Sequence, residues 1–333
     1  MSKKIAVIGD GAMGTICAVM LAENGLNVRL WSAFPEAAEQ LARTRQNDRF
    51  LPGSRLPDSV EVSGNDGDAL ADADLAISAV PTQFIRGVWG RIAAFCPAHL
   101  PICSVAKGIE NKTLLRPTEI LLDVLKGPRR PVAALSGPSI APEVAQRLPA
   151  TVAVASDHEE FAKQIQSSLS RPYFRVYTNP DLVGVEVAGA TKNVIAIAAG
   201  ILDGLATGDN AKAALLTRGL VEITRLGVAL GAQPETFAGL AGVGDLVTTC
   251  ISPVGRNRSF GEAVGRGRSA DEALAATASV VEGVATTTSV AELASRLGVE
   301  MPITQAVYDV LFRSKAPVEA IADLMSRPLK AES

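Results

Sequence analysis

The feature that most constrains the fold is an alternation, through the first half of the chain, between short apolar segments and segments with helical spacing. The predicted strands span residues 4–8, 27–31, 75–79, 101–105, 132–135 and 151–155. The predicted helices between them span residues 12–23, 36–43, 83–95, 117–126 and 159–169. Strands that alternate with helices in this way are typical of a parallel sheet with helices on both faces. The sequence therefore predicts a doubly wound α/β fold for this half.

The pattern changes near Pro180, after which long segments rich in Ala, Leu and Val show the 3.6-residue spacing of helices. Asn179-Pro180 is a turn dipeptide, because the residue before a proline avoids the helical region. We therefore expect two domains, an α/β domain over residues 1–180 and an all-α domain over residues 181–333. A chain of 333 residues is long enough for both.

Charge and composition exclude several classes of protein. The chain has 32 basic and 35 acidic residues, and a net charge of −3 gives no overall field that would attract nucleic acid. With two histidines and four widely spaced cysteines, neither a metal site nor a disulfide framework is indicated, and buried thiols are expected. We therefore expect no nucleic-acid partner and no bound metal.

Two apolar segments resemble membrane or export signals. The first follows Lys4 and stops at Gly9, which is too short for a secretory signal. The second, residues 183–202, contains Glu186, Lys192 and Asn193, which argue against a membrane span. The sequence therefore predicts a cytoplasmic chain without membrane insertion.

Gly9, Gly11 and Gly14 form a G-x-G-x-x-G motif directly after the first predicted strand and open a helix. Such glycines allow a tight turn, close approach of a pyrophosphate and close packing of the helix on the sheet. The motif predicts dinucleotide binding by residues 1–180, the alternative being a plain strand-to-helix turn. Asp10 would repel the pyrophosphate unless its carboxylate points to solvent. The second strand is followed by Ala33, neither an acid nor an arginine, so NAD and NADP both stay open.

Two more strand ends carry polar groups, and open α/β sheets bind ligands at this edge. Lys107 follows the fourth predicted strand, where it either faces the crevice or is a solvated cation. Ser136-Gly137-Pro138-Ser139 follows the fifth, and its N–H groups and hydroxyls either bind an anion or cap a helix.

Lys192 lies inside an otherwise apolar, small-residue helical segment. Burial of an unpaired ammonium is costly, so this lysine must find a partner, face a polar cleft or lose its proton. A desolvated lysine with a pKa of about 7–8 suits proton transfer at neutral pH. The alternative is a lysine whose ammonium reaches the surface.

Asp245 follows three closely spaced glycines and can bond a substrate hydroxyl, pair with a lysine or cap a helix. Arg256 lies in a Gly-Arg-Asn-Arg segment whose guanidinium groups suit a phosphate, although arginines in loops are often solvated.

Together these residues resemble the NAD(P)-dependent glycerol-3-phosphate dehydrogenase family of bacterial type over essentially the whole chain. The matching phrases occupy residues 9–14, 50–53, 107–110, 136–139, 192–196, 208–211, 214–219, 238–246, 256–258, 281–283 and 301–303. The resemblance implies reversible reduction of dihydroxyacetone phosphate to sn-glycerol 3-phosphate with NAD or NADP, which supplies glycerophospholipid synthesis. A related reductase of another small hydroxy or keto compound is the alternative.

The resemblance also implies roles for individual residues. The catalytic set would be Lys192 as general acid–base, Lys107 as a second cation, and Asp245. The residues that would contact the phosphorylated substrate are Lys107, Gly137, Ser139, Lys192, Asn193, Asp245, Gly255, Arg256 and Asn257. Those that would contact the cofactor are Gly9, Gly11, Ala12, Met13, Gly14, Ala33, Lys107, Ala141, Arg256, Val280 and Glu282.

The chain departs from the family pattern at four positions. Met13 replaces a frequent aromatic residue, Ala33 replaces His or Arg, Pro142 replaces a lysine and Gly255 replaces a serine. These changes leave the cofactor preference open. An apolar helical second domain also makes a homodimer an expectation.

Overall fold

In the computed structural model, which describes residues 3–277, 279–329 and 331, the amino-terminal part of the chain forms one eight-stranded sheet. The strands are β1 (Lys4–Ile8), β2 (Asn27–Trp31), β3 (Val60–Ser63), β4 (Leu75–Ser78), β5 (Ile102–Ser104), β6 (Val132–Ser136), β7 (Ala150–Ala155) and β8 (Phe174–Asn179). Their order across the sheet is β3-β2-β1-β4-β5-β6-β7-β8. The helices of this part are α1 (Ala12–Glu23), α2 (Pro35–Thr44), α3 (Thr82–Ile92), α4 (Pro117–Val124), α5 (Ala141–Ala145) and α6 (Glu159–Leu169).

The predicted doubly wound α/β fold is confirmed, with two corrections. The edge strands β3 and β8 were not predicted, and β6 and β7 pair antiparallel, so the sheet is mixed rather than wholly parallel. The connection between these strands holds the five-residue helix α5 and does not carry the chain back along the sheet. The chain therefore enters β7 from the end at which it left β6.

The carboxy-terminal part is helical, as the sequence predicts. Its helices are α7 (Leu182–Gly204), α8 (Asp209–Ala229), α9 (Pro234–Phe237), α10 (Asp245–Ile251), α11 (Arg256–Gly265), α12 (Ala270–Ala275), α13 (Glu282–Leu297), α14 (Pro302–Phe312) and α15 (Pro317–Met325). A π-type turn over Leu240–Gly244 leads directly into α10.

Helix α7 is the core of this part. It packs against α8, α10, α11, α13 and α14, and also against β6 and β7 of the sheet. Its length and composition would allow it to span a bilayer, but 94% of its most apolar window is buried within the protein, as in the core helix of a folded protein.

Glycines bring α7 and α11 into backbone contact. A Cβ atom at Gly200 would lie 2.0 Å from the carbonyl oxygen of Arg258, and one at Gly261 would lie 2.1 Å from that of Ile197. Because neither position can hold a side chain, this contact fixes the residues at the start of α11 relative to the middle of α7.

The predicted buried thiols are found for three of the four cysteines. Cys17, Cys103 and Cys250 are buried and free, whereas Cys96 is half-buried and its sulfur accepts a hydrogen bond from Arg130. Burial raises the pKa of Cys17 and of Cys250 to about 12. These thiols therefore behave as small apolar side chains.

Candidate active site

The turn between β1 and α1 leaves an open space beside one of its three glycines. Gly9 has φ +109°, and a Cβ there would lie 2.9 Å from the carbonyl oxygen of Ala79. A Cβ at Gly14 would lie 1.9 Å from the carbonyl oxygen of Gly9. A Cβ at Gly11 would meet nothing within 4 Å. Gly9 and Gly14 thus allow close backbone packing that a side chain would prevent, while Gly11 faces free space.

The first turn of α1 fits a bound pyrophosphate. Its cap residue, Gly11, provides no side-chain hydrogen bond, and the first turn holds no acidic residue. The N–H groups at this end are therefore available to an anion, and the positive end of the helix dipole favours one. The residues present fit a dinucleotide at this edge of the sheet.

The centre of the site is one carboxylate that binds two ammonium groups. Nζ of Lys107, which follows β5, lies 2.6 Å from Oδ2 of Asp245 at the start of α10. Nζ of Lys192, in the middle of α7, binds Oδ1 of the same carboxylate. The side chain of Lys107 is 17% exposed, that of Lys192 is 7% exposed and that of Asp245 is 3% exposed. The cluster therefore joins the sheet edge to the helical part.

Further hydrogen bonds hold this cluster in place. The Ser136 hydroxyl and the backbone N–H of Gly137 donate to Oδ2 of Asp245 at 3.2 and 3.3 Å. Nζ of Lys192 also donates to the Thr249 hydroxyl at 2.7 Å, and Nζ of Lys107 to the Gly137 carbonyl at 3.2 Å. Each charged group thus has several polar partners, which is what burial of charge requires.

The pKa values of the cluster shift in opposite directions. Burial lowers the pKa of Lys192 from 10.5 to about 8, Asp245 opposes this, and the neighbouring charge of Lys107 adds to it. Burial would raise the pKa of Asp245, but Lys107 and Lys192 outweigh burial and hold it below its usual value. Asp245 is therefore ionised at neutral pH, and Lys192 gains or loses its proton close to neutral pH.

A chain of amide hydrogen bonds crosses the site. Nδ2 of Asn193 donates to the Lys107 carbonyl at 3.2 Å, and Nδ2 of Asn257 donates to Oδ1 of Asn193 at 2.9 Å. The backbone N–H of Gly283 donates to Oδ1 of Asn257 at 2.9 Å. These bonds align the segment after β5 with α7, α11 and α13.

Arg256 and Glu282 lie where the helical part meets the sheet edge. Arg256 is exposed, and its Nη1 donates to the Val280 carbonyl at 3.0 Å. The Glu282 carboxylate accepts from the backbone N–H of Thr82, which begins α3, at 3.3 Å. Burial raises the pKa of Glu282, and the charge of Arg256 partly offsets this. Ala33 follows β2 and Ala141 begins α5, each after the carboxyl end of a strand.

The structure selects among the alternatives that the sequence left open. Asp245 is not a helix cap, because Gly244 holds that position and Asp245 pairs with both lysines. The Ser139 hydroxyl donates to the Gly137 carbonyl at 3.1 Å rather than capping α5. The ammonium of Lys192 stays buried instead of reaching the surface.

Sequence reasoning missed Thr249 as a member of the cluster, and it gave the Ser136 hydroxyl an anion-binding or capping role rather than a bond to Asp245. Thr249 lies four residues after Asp245 on the same helix, so helical spacing places both side chains on one face. That spacing was the signal that could have identified Thr249. Ser136 is the last residue of β6, at the strand end already singled out for Gly137.

Comparisons with known proteins find similarity to glycerol-3-phosphate dehydrogenases along nearly the whole chain. Family models described as NAD-dependent glycerol-3-phosphate dehydrogenase N-terminus and C-terminus match residues 4–162 and 181–322. A glycerol-3-phosphate dehydrogenase (NAD(P)+) of Geobacter sp. strain M21 is 49% identical over 100% of this chain and 99% of its own length. One of Geobacillus thermodenitrificans is 51% identical over 99% of this chain and 96% of its own length. The crystal structure of glycerol-3-phosphate dehydrogenase from Coxiella burnetii has a TM-score of 0.94 at 38% identity and covers 98% of this chain and 99% of its own.

Proposed function

The chain belongs to the NAD-dependent glycerol-3-phosphate dehydrogenase family, and we propose that its buried Lys192 is the proton donor in the reaction of that family. The protein is an oxidoreductase that reduces dihydroxyacetone phosphate to sn-glycerol 3-phosphate, reversibly, with NADH or NADPH. The observation that carries the proposal for Lys192 is the carboxylate of Asp245, which holds two ammonium groups side by side at the sheet edge.

The two lysines have different roles in the reaction. A nicotinamide held at this edge would supply the hydride for the carbonyl carbon, and negative charge would then develop on the carbonyl oxygen. Lys192, with a pKa of about 8, donates its proton to that oxygen. The ammonium group of Lys107 lies beside the same oxygen and stabilises the transition state. Asp245 orients both ammonium groups, because each of its oxygens binds one.

The substrate phosphate is assigned to the start of α11. Arg256 is exposed there and bonds only the Val280 carbonyl among the described residues, so most of its five N–H donors are available to a phosphate. Gly255 and Asn257 flank it, and Gly137, Ser139 and Asn193 complete the substrate edge. The short chain between the phosphate and the ketone then places the carbonyl at the lysines.

The cofactor is assigned to the sheet edge. Its pyrophosphate would lie on the turn of Gly9, Gly11 and Gly14, the space beside Gly11 being the feature that supports this. The other residues proposed to hold it are Ala12, Met13, Ala33, Lys107, Ala141, Arg256, Val280 and Glu282. Residues 1–180 would then form the cofactor domain and residues 181–333 the substrate domain, with the reaction in the cleft between them.

The setting of the enzyme in the cell is also proposed. We propose a cytoplasmic homodimer that supplies the glycerol backbone of phospholipids; the names of the relatives support only the glycerol 3-phosphate activity on which this supply depends. Exposed apolar residues Val221 and Val228 on α8 offer surface for a second copy. Light scattering across a range of concentrations tests the dimer, and a constant monomer mass would reject it.

Initial rates with dihydroxyacetone phosphate test the proposed function most simply. NADH and NADPH are compared at equal concentration, beside a panel of other small ketones that includes unphosphorylated dihydroxyacetone. We expect the highest kcat/KM for dihydroxyacetone phosphate, since Arg256 is assigned to its phosphate. Faster turnover of an unphosphorylated ketone or a 2-keto acid would favour the related-reductase alternative instead.

A further inference from the structure

An arginine from α3 lies against the end of β2. Nη1 of Arg91 donates to the Ala33 carbonyl at 3.0 Å, and its guanidinium carbon lies 4.9 Å from the ring centroid of Trp31, the last residue of β2. Nη2 and Nε of Arg91 donate to Asp66 at 2.6 and 2.8 Å. A cation is thus present at a strand end whose own residues carry none.

The end of β2 is where such sheets distinguish the two nicotinamide cofactors. An acid at this point binds the 2′-hydroxyl of the adenosine ribose in NAD, and an arginine nearby accommodates the 2′-phosphate of NADP. Ala33 stands at this point and its methyl group can do neither. Arg91 reaches the same point from another element and bonds the backbone of Ala33 itself.

The donors of Arg91 are only partly used. A guanidinium has five N–H donors, and Asp66 occupies the edge formed by Nε and Nη2. Within the part of the chain that the structure describes, Nη1 makes one further bond, to Ala33. One N–H of Nη1 and one of Nη2 therefore stay available. The side chain of Arg91 is 40% exposed, so a phosphate can reach these donors.

The surroundings hold Arg91 in place. Asp66 follows Asn65, whose carbonyl accepts the indole N–H of the fully buried Trp31 at 3.1 Å. The side-chain oxygen of Asn65 in turn accepts the backbone N–H of Gly67 at 2.8 Å. The loop that carries Asp66 is thereby fixed to β2. The guanidinium is pre-organised, so it loses little entropy when it binds an anion.

We propose that Arg91 binds the 2′-phosphate of NADPH and so determines how well this enzyme uses NADPH relative to NADH. This inference rests on the proposed function, since it assigns the adenosine ribose to the end of β2. Arg91 lies at the end of β2, which β1 and β4 separate from β5 and Lys107, so it acts on the binding of NADPH and not on the chemical step.

Binding of adenosine fragments tests this inference without turnover. Calorimetry compares adenosine 2′,5′-bisphosphate, which carries the 2′-phosphate, with 5′-AMP, which lacks it. The variant is Arg91→Gln, and the matched control is Arg86→Gln on the same helix, whose arginine pairs with Glu110 and Asp123. We expect Arg91→Gln to weaken bisphosphate binding by about tenfold or more and to leave 5′-AMP binding unchanged. Arg86→Gln should change neither.

Kinetics give a second readout. Arg91→Gln should raise KM for NADPH without lowering kcat, and leave KM for NADH unchanged. Equal losses for both fragments or both cofactors would show a structural role and overturn the proposal, as would unchanged bisphosphate binding. Failure of the proposed function would look different, because the wild-type protein would then reduce dihydroxyacetone phosphate with neither NADH nor NADPH.

Discussion

Lys107 and Asp245 lie 138 positions apart in the chain, yet Nζ of the first is 2.6 Å from Oδ2 of the second. The other carboxylate oxygen binds Lys192. One buried acid thus holds a lysine from the sheet edge and a lysine from the helical part, and with both lysines protonated the three groups carry one net positive charge. A site with an excess of one cation suits a reaction that develops negative charge on oxygen.

The pH dependence of kcat should have opposite signs for reduction and for oxidation. Reduction needs protonated Lys192, whose pKa is lowered from 10.5 to about 8, so kcat for reduction should be level below pH 8 and fall above it. Oxidation needs the neutral amine, so its kcat should rise up to about pH 8 and then level off. Saturating rates in both directions check this. A reduction rate that stays level to pH 10 would contradict the assignment.

Asp245→Asn should shift this profile. The carboxylate opposes the lowering of the pKa of Lys192, so its loss should move the fall in reduction rate to lower pH. It also leaves the buried ammonium of Lys192 and the partly buried one of Lys107 without their shared counterion, and we expect kcat at neutral pH to fall by about 10²-fold or more. The control is Asp123→Asn, an exposed partner of Arg86, which should leave the profile unchanged. An Asp245→Asn profile equal to that of the wild type would contradict the account.

Gly11 and Gly14 should respond differently to alanine. At Gly14 the new methyl would lie 1.9 Å from the Gly9 carbonyl oxygen, so thermal stability should fall by at least about 1–3 kcal/mol. At Gly11 the methyl meets nothing, so the stability of the free protein should hold or rise by about 0.4–1 kcal/mol. Gly11→Ala should nevertheless weaken NADH binding, because the methyl occupies the space assigned to the pyrophosphate. Calorimetric unfolding and a fluorescence titration with NADH measure both effects, and normal NADH affinity in Gly11→Ala would place the pyrophosphate elsewhere.

The contact between α7 and α11 should prove necessary for substrate binding. Gly200→Ala would bring a methyl within 2.0 Å of the Arg258 carbonyl oxygen, so α11 must move or the protein must lose about 1–3 kcal/mol of stability. Because Arg256 begins α11, KM for dihydroxyacetone phosphate should rise. Gly87→Ala, at an exposed position of α3, is the control, where a Cβ meets nothing within 4 Å and a gain of about 0.5–1 kcal/mol is expected. Unchanged stability and KM in Gly200→Ala would contradict this packing argument.

The strands that the sequence predicts are the central ones, which are buried on both faces of the sheet. The central strands are continuous apolar runs, and their pattern is plain in the sequence. In β8, buried Phe174 and Val176 alternate with exposed Arg175 and Tyr177, because an edge strand is covered on one face only. Such a short alternation does not stand out. The antiparallel pairing of β6 with β7 depends on the path of the chain between the two strands, which the sequence pattern does not indicate.

A site residue could be predicted from the sequence where its polarity differs from that of the residues around it. Lys192 stands out because it lies among apolar residues on a helix. The pairing of Asp245 with both lysines could not be read in this way, since tertiary packing brings together groups far apart in the chain. The same holds for Arg91, whose position against Ala33 depends on how α3 packs beside β2.

The most direct test of the account is kcat of Lys192→Met, measured beside its thermal stability. Burial disfavours the charged form of this lysine, so methionine should not lower stability, and Asp245 keeps Lys107, Ser136 and Gly137 as partners. We expect a folded protein that still binds NADH but whose kcat for dihydroxyacetone phosphate is about 10²–10⁴-fold lower. A folded Lys192→Met enzyme with kcat within about threefold of the wild type would contradict it.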